Sequence, residues 1–219
     1  MNKNFDLILF DLDGTLTDSG EGIMKCVQYA LSKKGVDEQD LGNLRRFVGP
    51  PMIESYMEFY GFSKEEAIEL RGLYNERYRP IGWKENHPYE GIMELLETLR
   101  AEGKLLGVAT SKPADSADKV LELFDMKKYF HVISAGSIDG LKCSKEVSIQ
   151  RAIQGVKDQG YEVKNPVLVG DTKYDVVGAH ECGIPCIGVT WGYAAEGEFE
   201  AYNTEYVVNT MEELLNILK

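Results

Sequence analysis

Long apolar runs, paired cysteines and an excess of positive charge are all missing from this chain of 219 residues. No hydrophobic stretch approaches the roughly 20 residues needed to cross a bilayer. The opening residues, Met1-Asn2-Lys3-Asn4-Phe5-Asp6, lack the apolar segment of a secretion signal. A cytoplasmic protein without a membrane partner is therefore expected. Cys26, Cys143, Cys182 and Cys186 contain no Cys-x-x-Cys pair, which argues against a disulfide framework or a zinc site and reads them as packing residues. His87, His131 and His180 are scattered and read as surface or capping groups rather than ligands. With 24 Lys and Arg against 36 Asp and Glu, the net charge is −12. A nucleic-acid backbone is a poor partner for such a chain, because binding it requires clustered cations. An acidic protein that handles phosphate must instead bring a cation to the site.

The stretch that is present, and around which the rest is organised, is Phe10-Asp11-Leu12-Asp13-Gly14-Thr15-Leu16-Thr17-Asp18. Leu7 to Phe10 read as a strand buried on both faces, of the kind found centrally in a parallel sheet. Such a strand ends here in two carboxylates and a glycine, and buried charge is costly unless compensated. A divalent cation suits two oxygen-rich side chains, and ligands of open parallel sheets bind beyond the strands' carboxyl ends. An aspartate beside a metal and backbone amides suits an acylphosphate intermediate, with the second aspartate placed to move a proton. An ordinary strand closed by an Asp-Gly turn is the plainer reading of the same residues.

After Asp18 the period becomes helical. Ile23, Val27, Ala30 and Leu31 share one stripe stopped at Gly35; Ile53, Met57 and Tyr60 share another after Pro50-Pro51; Ser63 to Glu66 form a capping box opening a segment to about Tyr78. No strand is expected between Thr17 and Trp83, so an inserted helical block is inferred between α/β flanks. From Tyr89 helices and strands alternate. Leu105 to Ala109 form a strand running into Thr110-Ser111-Lys112-Pro113, with Pro113 placed in the first turn of the next helix. Strands follow at His131 to Ser134, Val167 to Val169, Cys186 to Val189 and Tyr206 to Val208. Helices are expected from Lys145, from the Thr172 region to Gly183, and after Thr210.

The strand ends supply groups suited to phosphate and metal: two aspartates, Thr110-Ser111, then Gly170-Asp171. A parallel sheet gathers them at one edge. Thr172 and Asp175 also fit a capping box, so Asp175 reads equally as cap and as functional group. Asp171 has no such task and reads as a metal ligand. Lys145 and Lys142 compete as the cation that meets an anion, and spacing does not separate them.

Asp11-Leu12-Asp13-Gly14-Thr15-Leu16, Thr110-Ser111, Lys145 and Gly170-Asp171-Thr172-Lys173-Tyr174-Asp175 resemble the four ordered motifs of the haloacid dehalogenase-like hydrolases. The helical block, Val48-Gly49-Pro50-Pro51-Met52 within it, and Trp191-Gly192-Tyr193 are similar to the phosphoglycolate phosphatase-like branch. The resemblance implies an α/β fold, a Rossmann-like parallel sheet core of residues 1–16 and 84–219 with an inserted α-helical cap domain of residues 17–83. By the same resemblance Asp11 is the nucleophile and Asp13 the proton donor and acceptor. Mg²⁺ is held by Asp11, the Asp13 carbonyl and Asp171, supported by Asp175. Thr110, Ser111, Lys145 and the amides near Leu12 and Asp13 bind the phosphoryl group. The third motif, usually Lys-Pro-x-Pro, reads Ser144-Lys145-Glu146-Val147 here, and Lys145 is taken over Lys142.

The implied activity is Mg²⁺-dependent hydrolysis of a small phosphomonoester, such as phosphoglycolate, a sugar phosphate or a nucleoside monophosphate, by a monomer or homodimer. A β-phosphoglucomutase-like isomerase and an inorganic pyrophosphatase use the same groups and are the alternatives. A signalling receiver module also gathers aspartates, a hydroxyl and a lysine, but carries its phosphorylated aspartate on a later strand and has no helical insertion.

Overall fold

Leu7–Phe10 form the first strand, β1, with all four side chains at 0% exposure. Burying each such side chain is worth about 1.5–3 kcal/mol, so this short segment anchors the sheet. The computed structural model describes residues 4–137 and 144–219. The chain separates into two compact units, Met1–Thr17 with Pro88–Lys219, and Asp18–His87. In chain order the further elements are β2 (Thr17–Asp18), α1 (Gly20–Lys33), α2 (Met52–Tyr60), α3 (Lys64–Tyr78), β3 (His87–Pro88) and α4 (Ile92–Ala101). They continue with β4 (Leu105–Pro113), α5 (Ala114–Leu123), β5 (Val132–Gly136), α6 (Lys145–Asp158), β6 (Pro166–Gly170) and α7 (Lys173–Glu181). The chain closes with β7 (Cys186–Val189), α8 (Glu198–Ala201), β8 (Tyr206–Val208) and α9 (Met211–Leu218).

In the first unit six strands make one parallel sheet in the order β5-β4-β1-β6-β7-β8. The chain runs outward from β1 first toward β4 and β5, then returns to β6 on the other flank, so the strand order reverses at β1. That reversal opens a crevice at the carboxyl end of the central strand, where open α/β sheets bind ligands. Leu7 and Leu9 pack with Ile149, Ala152 and Val156 of α6 and with Val176 and Ala179 of α7. By strand alternation Ile8 and Phe10 face the opposite layer. This is an α/β, Rossmann-like fold.

In the second unit α1 buries Ile23, Val27, Ala30 and Leu31, the stripe read from the sequence, together with Cys26, and packs against α3. The expected capping box is present at Ser63, whose hydroxyl accepts from the Glu66 amide while Glu66 accepts from the Ser63 amide. Helix α2 differs from expectation. Met57 is 40% exposed, and the buried residues are Ser55 and Tyr56. The Tyr56 ring lies 5.1 Å from that of Phe47, so an aromatic contact rather than the aliphatic stripe sets the helix's rotation.

Two local expectations are also revised. Thr17–Asp18 form β2, which pairs with β3, although no strand was expected beyond Thr17. Pro113 does not enter the helix after it: it ends β4, pairs in register with Gly136 and is the N-cap of α5. Its fixed φ suits either position, and the strand pairing decides between them. Among the described residues no helix is long and apolar enough to cross a membrane.

Candidate active site

Asp11 continues the alternation of Leu7 and Leu9, which aims its side chain toward the α6 side of the sheet, just past the strand end. There Lys145, the first residue of α6, is 7% exposed. Its Nζ lies 2.7 Å from Asp11 Oδ1 and 2.8 Å from Asp175 Oδ1, and it donates to the Ala109 carbonyl at 3.2 Å. A lysine at a helix start opposes the helix dipole, and two buried carboxylates offset that cost. Lys142, its rival in the sequence, lies outside the described residues.

Asp175 resolves into both of its possible roles. Its Oδ2 accepts from the amides of Asp171 and Thr172 and from the Thr172 hydroxyl, closing the start of α7, while Oδ1 faces Lys145. Asp171 is 1% exposed and held at both oxygens. Oδ1 accepts from Thr15 Oγ1 at 3.2 Å and Oδ2 from the Tyr193 amide at 2.9 Å. Gly14, at φ +84°, and Gly192 close the pocket around it. A Cβ on Gly192 would stand 2.3 Å from Asp171 Cβ and 2.5 Å from the Gly14 carbonyl oxygen, so only glycine fits. The neighbouring Trp191 donates its indole N–H to the Thr15 carbonyl at 3.2 Å, tying the segment after β7 to the one after β1. Gly192→Ala is expected to lower stability by ~1–3 kcal/mol and to weaken divalent-cation binding. Urea unfolding and Mg²⁺ titration check this, and an unchanged unfolding midpoint would show the packing to be looser than described.

Burial raises the Asp11 carboxyl to about 6 against the opposing charge of Lys145, with a smaller upward push from Asp175. Burial and the charges of Asp175 and Asp11 push Asp171 well above the carboxylate range. For Lys145 burial acts to lower the pKa, yet Asp11 and Asp175 together raise it. Asp11, Asp171 and Asp175 each offer an oxygen, and these lie within 4.8 Å of one another. Three carboxylates and one ammonium leave the cluster formally at −2. A hard divalent cation such as Mg²⁺ fits both that excess charge and the all-oxygen donor set.

Asp13 sits on the turn after β1 and bridges to Thr17. Both its oxygens lie 2.8 Å from Lys112 Nζ. Thr110 is buried, its hydroxyl accepting from the Lys112 amide and hydrogen-bonding Asp11. Its carbonyl accepts from Ser148 Oγ at 3.0 Å. Ser111 stands between them on β4, half-buried, and Leu12 is fully buried with its carbonyl accepting from the amides of Leu16 and Thr17. The candidate residues on β1, β4, α6 and β6 thus come together at one end of the sheet.

Other residues singled out in the sequence lie elsewhere. His131 pairs with Arg100 and the β4 backbone, His180 with Glu205 and His87 with Asp18, none of them in the carboxylate cluster. Cys26, Cys182 and Cys186 are free thiols, Cys26 and Cys186 buried, and Cys143 lies outside the described residues. A cavity of about 550 Å³ bordered by Asp115, Ser134 and Arg151 flanks β5 and is lined by none of the site residues. Sequence reasoning passed over Lys112 and gave Thr15, Trp191 and Tyr193 no structural task. Lys112 carried a signal, a lysine between Thr110-Ser111 and a proline at a strand end, that was absorbed into the strand-to-helix junction.

The model of the haloacid dehalogenase-like hydrolase family matches residues 8–189. Among individual proteins, a 5'-nucleotidase from Pseudomonas aeruginosa is 39% identical over 212 residues, covering 97% of this chain and 95% of that one. The tyrosine-protein kinase PtkA of Mycobacterium tuberculosis is 38% identical over 217 residues, covering 97% of this chain and 72% of that one. A crystal structure of a predicted phosphatase from Clostridium acetobutylicum superposes with a TM-score of 0.91 at 40% identity, covering 97% of each chain. On this match, and on the convergence of Asp11, Thr110, Lys145 and Asp171 at the end of a parallel sheet, the chain belongs to the haloacid dehalogenase-like hydrolase family.

Proposed function

We propose that this protein is a Mg²⁺-dependent phosphatase of a small phosphomonoester. The observation that carries the reading is the buried set of Asp11, Lys145, Asp171 and Asp175 at the carboxyl end of the central strand, with Asp13 two residues beyond the first. Asp11 attacks phosphorus and forms an aspartyl-phosphate as the P–O bond to the alcohol breaks. Asp13 gives the leaving alkoxide its proton and then takes one from the water that cleaves the intermediate. Thr110, Ser111, Lys145 and the amides of Leu12 and Asp13 hold the phosphoryl oxygens, the positioning and positive potential that such transfer chiefly needs. Asp11, the Asp13 carbonyl and Asp171, with Asp175 in support, would hold Mg²⁺, which would supply charge neutralisation at the phosphoryl oxygens. In the same reading residues 17–83 are the cap and residues 1–16 and 84–219 the catalytic core.

Among substrates, a nucleoside monophosphate takes first place from the similarity to a 5'-nucleotidase, ahead of phosphoglycolate and sugar phosphates. Pyrophosphate is the second reading, supported by 28% identity over 214 residues to the pyrophosphatase PpaX of Halalkalibacterium halodurans. The test is phosphate release from nucleoside monophosphates, phosphoglycolate, sugar phosphates and pyrophosphate, each with Mg²⁺ and with chelator. Metal-dependent release ranked by kcat/KM identifies the class. No release from any of them, with conversion of one sugar phosphate to another, would replace the phosphatase by a mutase.

A further inference from the structure

We infer that Lys112 is the positioning residue for the proton-transferring aspartate, fixing the Asp13 carboxylate through an ion pair to both of its oxygens. The inference rests on the reading of Asp13 given above. Lys112 Nζ stands 2.8 Å from Asp13 Oδ1 and 2.8 Å from Oδ2, with side-chain exposures of 4% for the lysine and 14% for the aspartate. An exposed pair with this geometry contributes little, whereas a nearly dry one holds its partners in place.

Both ends of the pair are held by the fold, Lys112 on β4 and Asp13 through its bridge to Thr17. Lys112 belongs to β4, where its amide donates to Thr110 Oγ1 at 3.2 Å. The register with β5 shifts between Ala109 and Pro113, and Gly136 packs so closely on this segment that a Cβ there would lie 2.4 Å from the Ser111 carbonyl oxygen. Asp13 sits on a turn beside Gly14, whose φ is +84°. The ion pair therefore joins β4 to the turn after β1, two segments far apart in the sequence, and the ammonium restricts the rotamers open to the Asp13 carboxylate.

A carboxylate offers about four acceptor positions, and one ammonium occupies two of them, leaving an open position on each oxygen for the travelling proton. Lys145 contacts Asp11 and Asp175, while Lys112 contacts Asp13. The two buried lysines therefore divide the work, one serving the nucleophile and the other the proton carrier.

The experiment uses Lys112→Met and Lys112→Arg, each in the unaltered chain and combined with Asp13→Asn, on the best substrate of the release panel. In the unaltered chain Lys112→Met is expected to lower kcat about 100-fold with KM within about threefold, and Lys112→Arg to restore most of it. In the Asp13→Asn background the same Lys112→Met change is expected to cost less than about twofold more. A raised KM with kcat retained, or a full additional loss in the Asp13→Asn background, overturns the inference and makes Lys112 an independent phosphate contact. Asp13→Asn at a normal rate overturns the reading of Asp13 itself. A slowed Asp13→Asn beside a normal Lys112→Met overturns only the role of Lys112. Unfolding midpoints accompany each variant, and Lys112→Gln is held to the same criteria should Lys112→Met not fold.

Discussion

Asp11→Asn is expected to abolish phosphate release, by at least ~10⁴-fold, while the protein stays folded. The amide has nearly the carboxylate's shape but is a far weaker nucleophile, so binding can survive where chemistry does not. Stability should not suffer, because Asp11 is one of three buried carboxylates sharing one ammonium, and burial already raises its carboxyl to about 6. Removing one negative charge from a cluster formally at −2 relieves repulsion. Phosphate release at saturating Mg²⁺, read beside a urea unfolding curve, checks both halves. Retained turnover in a folded variant would remove Asp11 from the role of nucleophile.

Lys145→Met is expected to lower the stability of the chelated protein by ~3–5 kcal/mol at pH 8, the usual consequence of leaving a buried charge without its partner. At pH 5 the loss should be smaller. Asp11 has its carboxyl raised from 3.8 to about 6 in the folded protein. It therefore favours the fold below the lower value, and that contribution is lost as pH rises through the higher one. Asp171, raised further for the same reason, extends the effect upward. With the cluster ionised at pH 8, the variant keeps three carboxylates together without a cation. With protons taken up at pH 5, it does not. Mg²⁺ should return part of the stability at pH 8 and little at pH 5. Urea unfolding at both pH values, with chelator and with Mg²⁺, measures all four states. A loss independent of pH would mean that Lys145 acts through packing of its stem rather than through its charge.

How much of this was legible beforehand depends on the distance over which each feature is decided. Leu7 to Phe10 announced a doubly buried strand because four large apolar residues in a row admit little else. Asp11 and Asp171 stood out because a carboxylate at the end of such a strand requires compensation. Helix α1 followed its stripe and α3 its capping box, both local devices. Helix α2 did not, because Tyr56 found the Phe47 ring, a contact no periodicity encodes. Asp175 was balanced between cap and site, and each of its oxygens takes one of those roles.

By itself the sequence determined the alternation of strand and helix, the helical block between its flanks, and which carboxylates end the strands. Hydrophobic burial and backbone capping act over a few residues and are written into the order of the chain. Only the tertiary structure decided that Lys112 meets Asp13 across 99 positions and that Thr15 meets Asp171 across 156. It also decided that Gly192 must be small because Asp171 lies against it. A side-chain hydrogen bond or a close approach is selected by where the folded backbone brings two atoms, and that placement exists only once the parallel sheet has drawn its strand ends together.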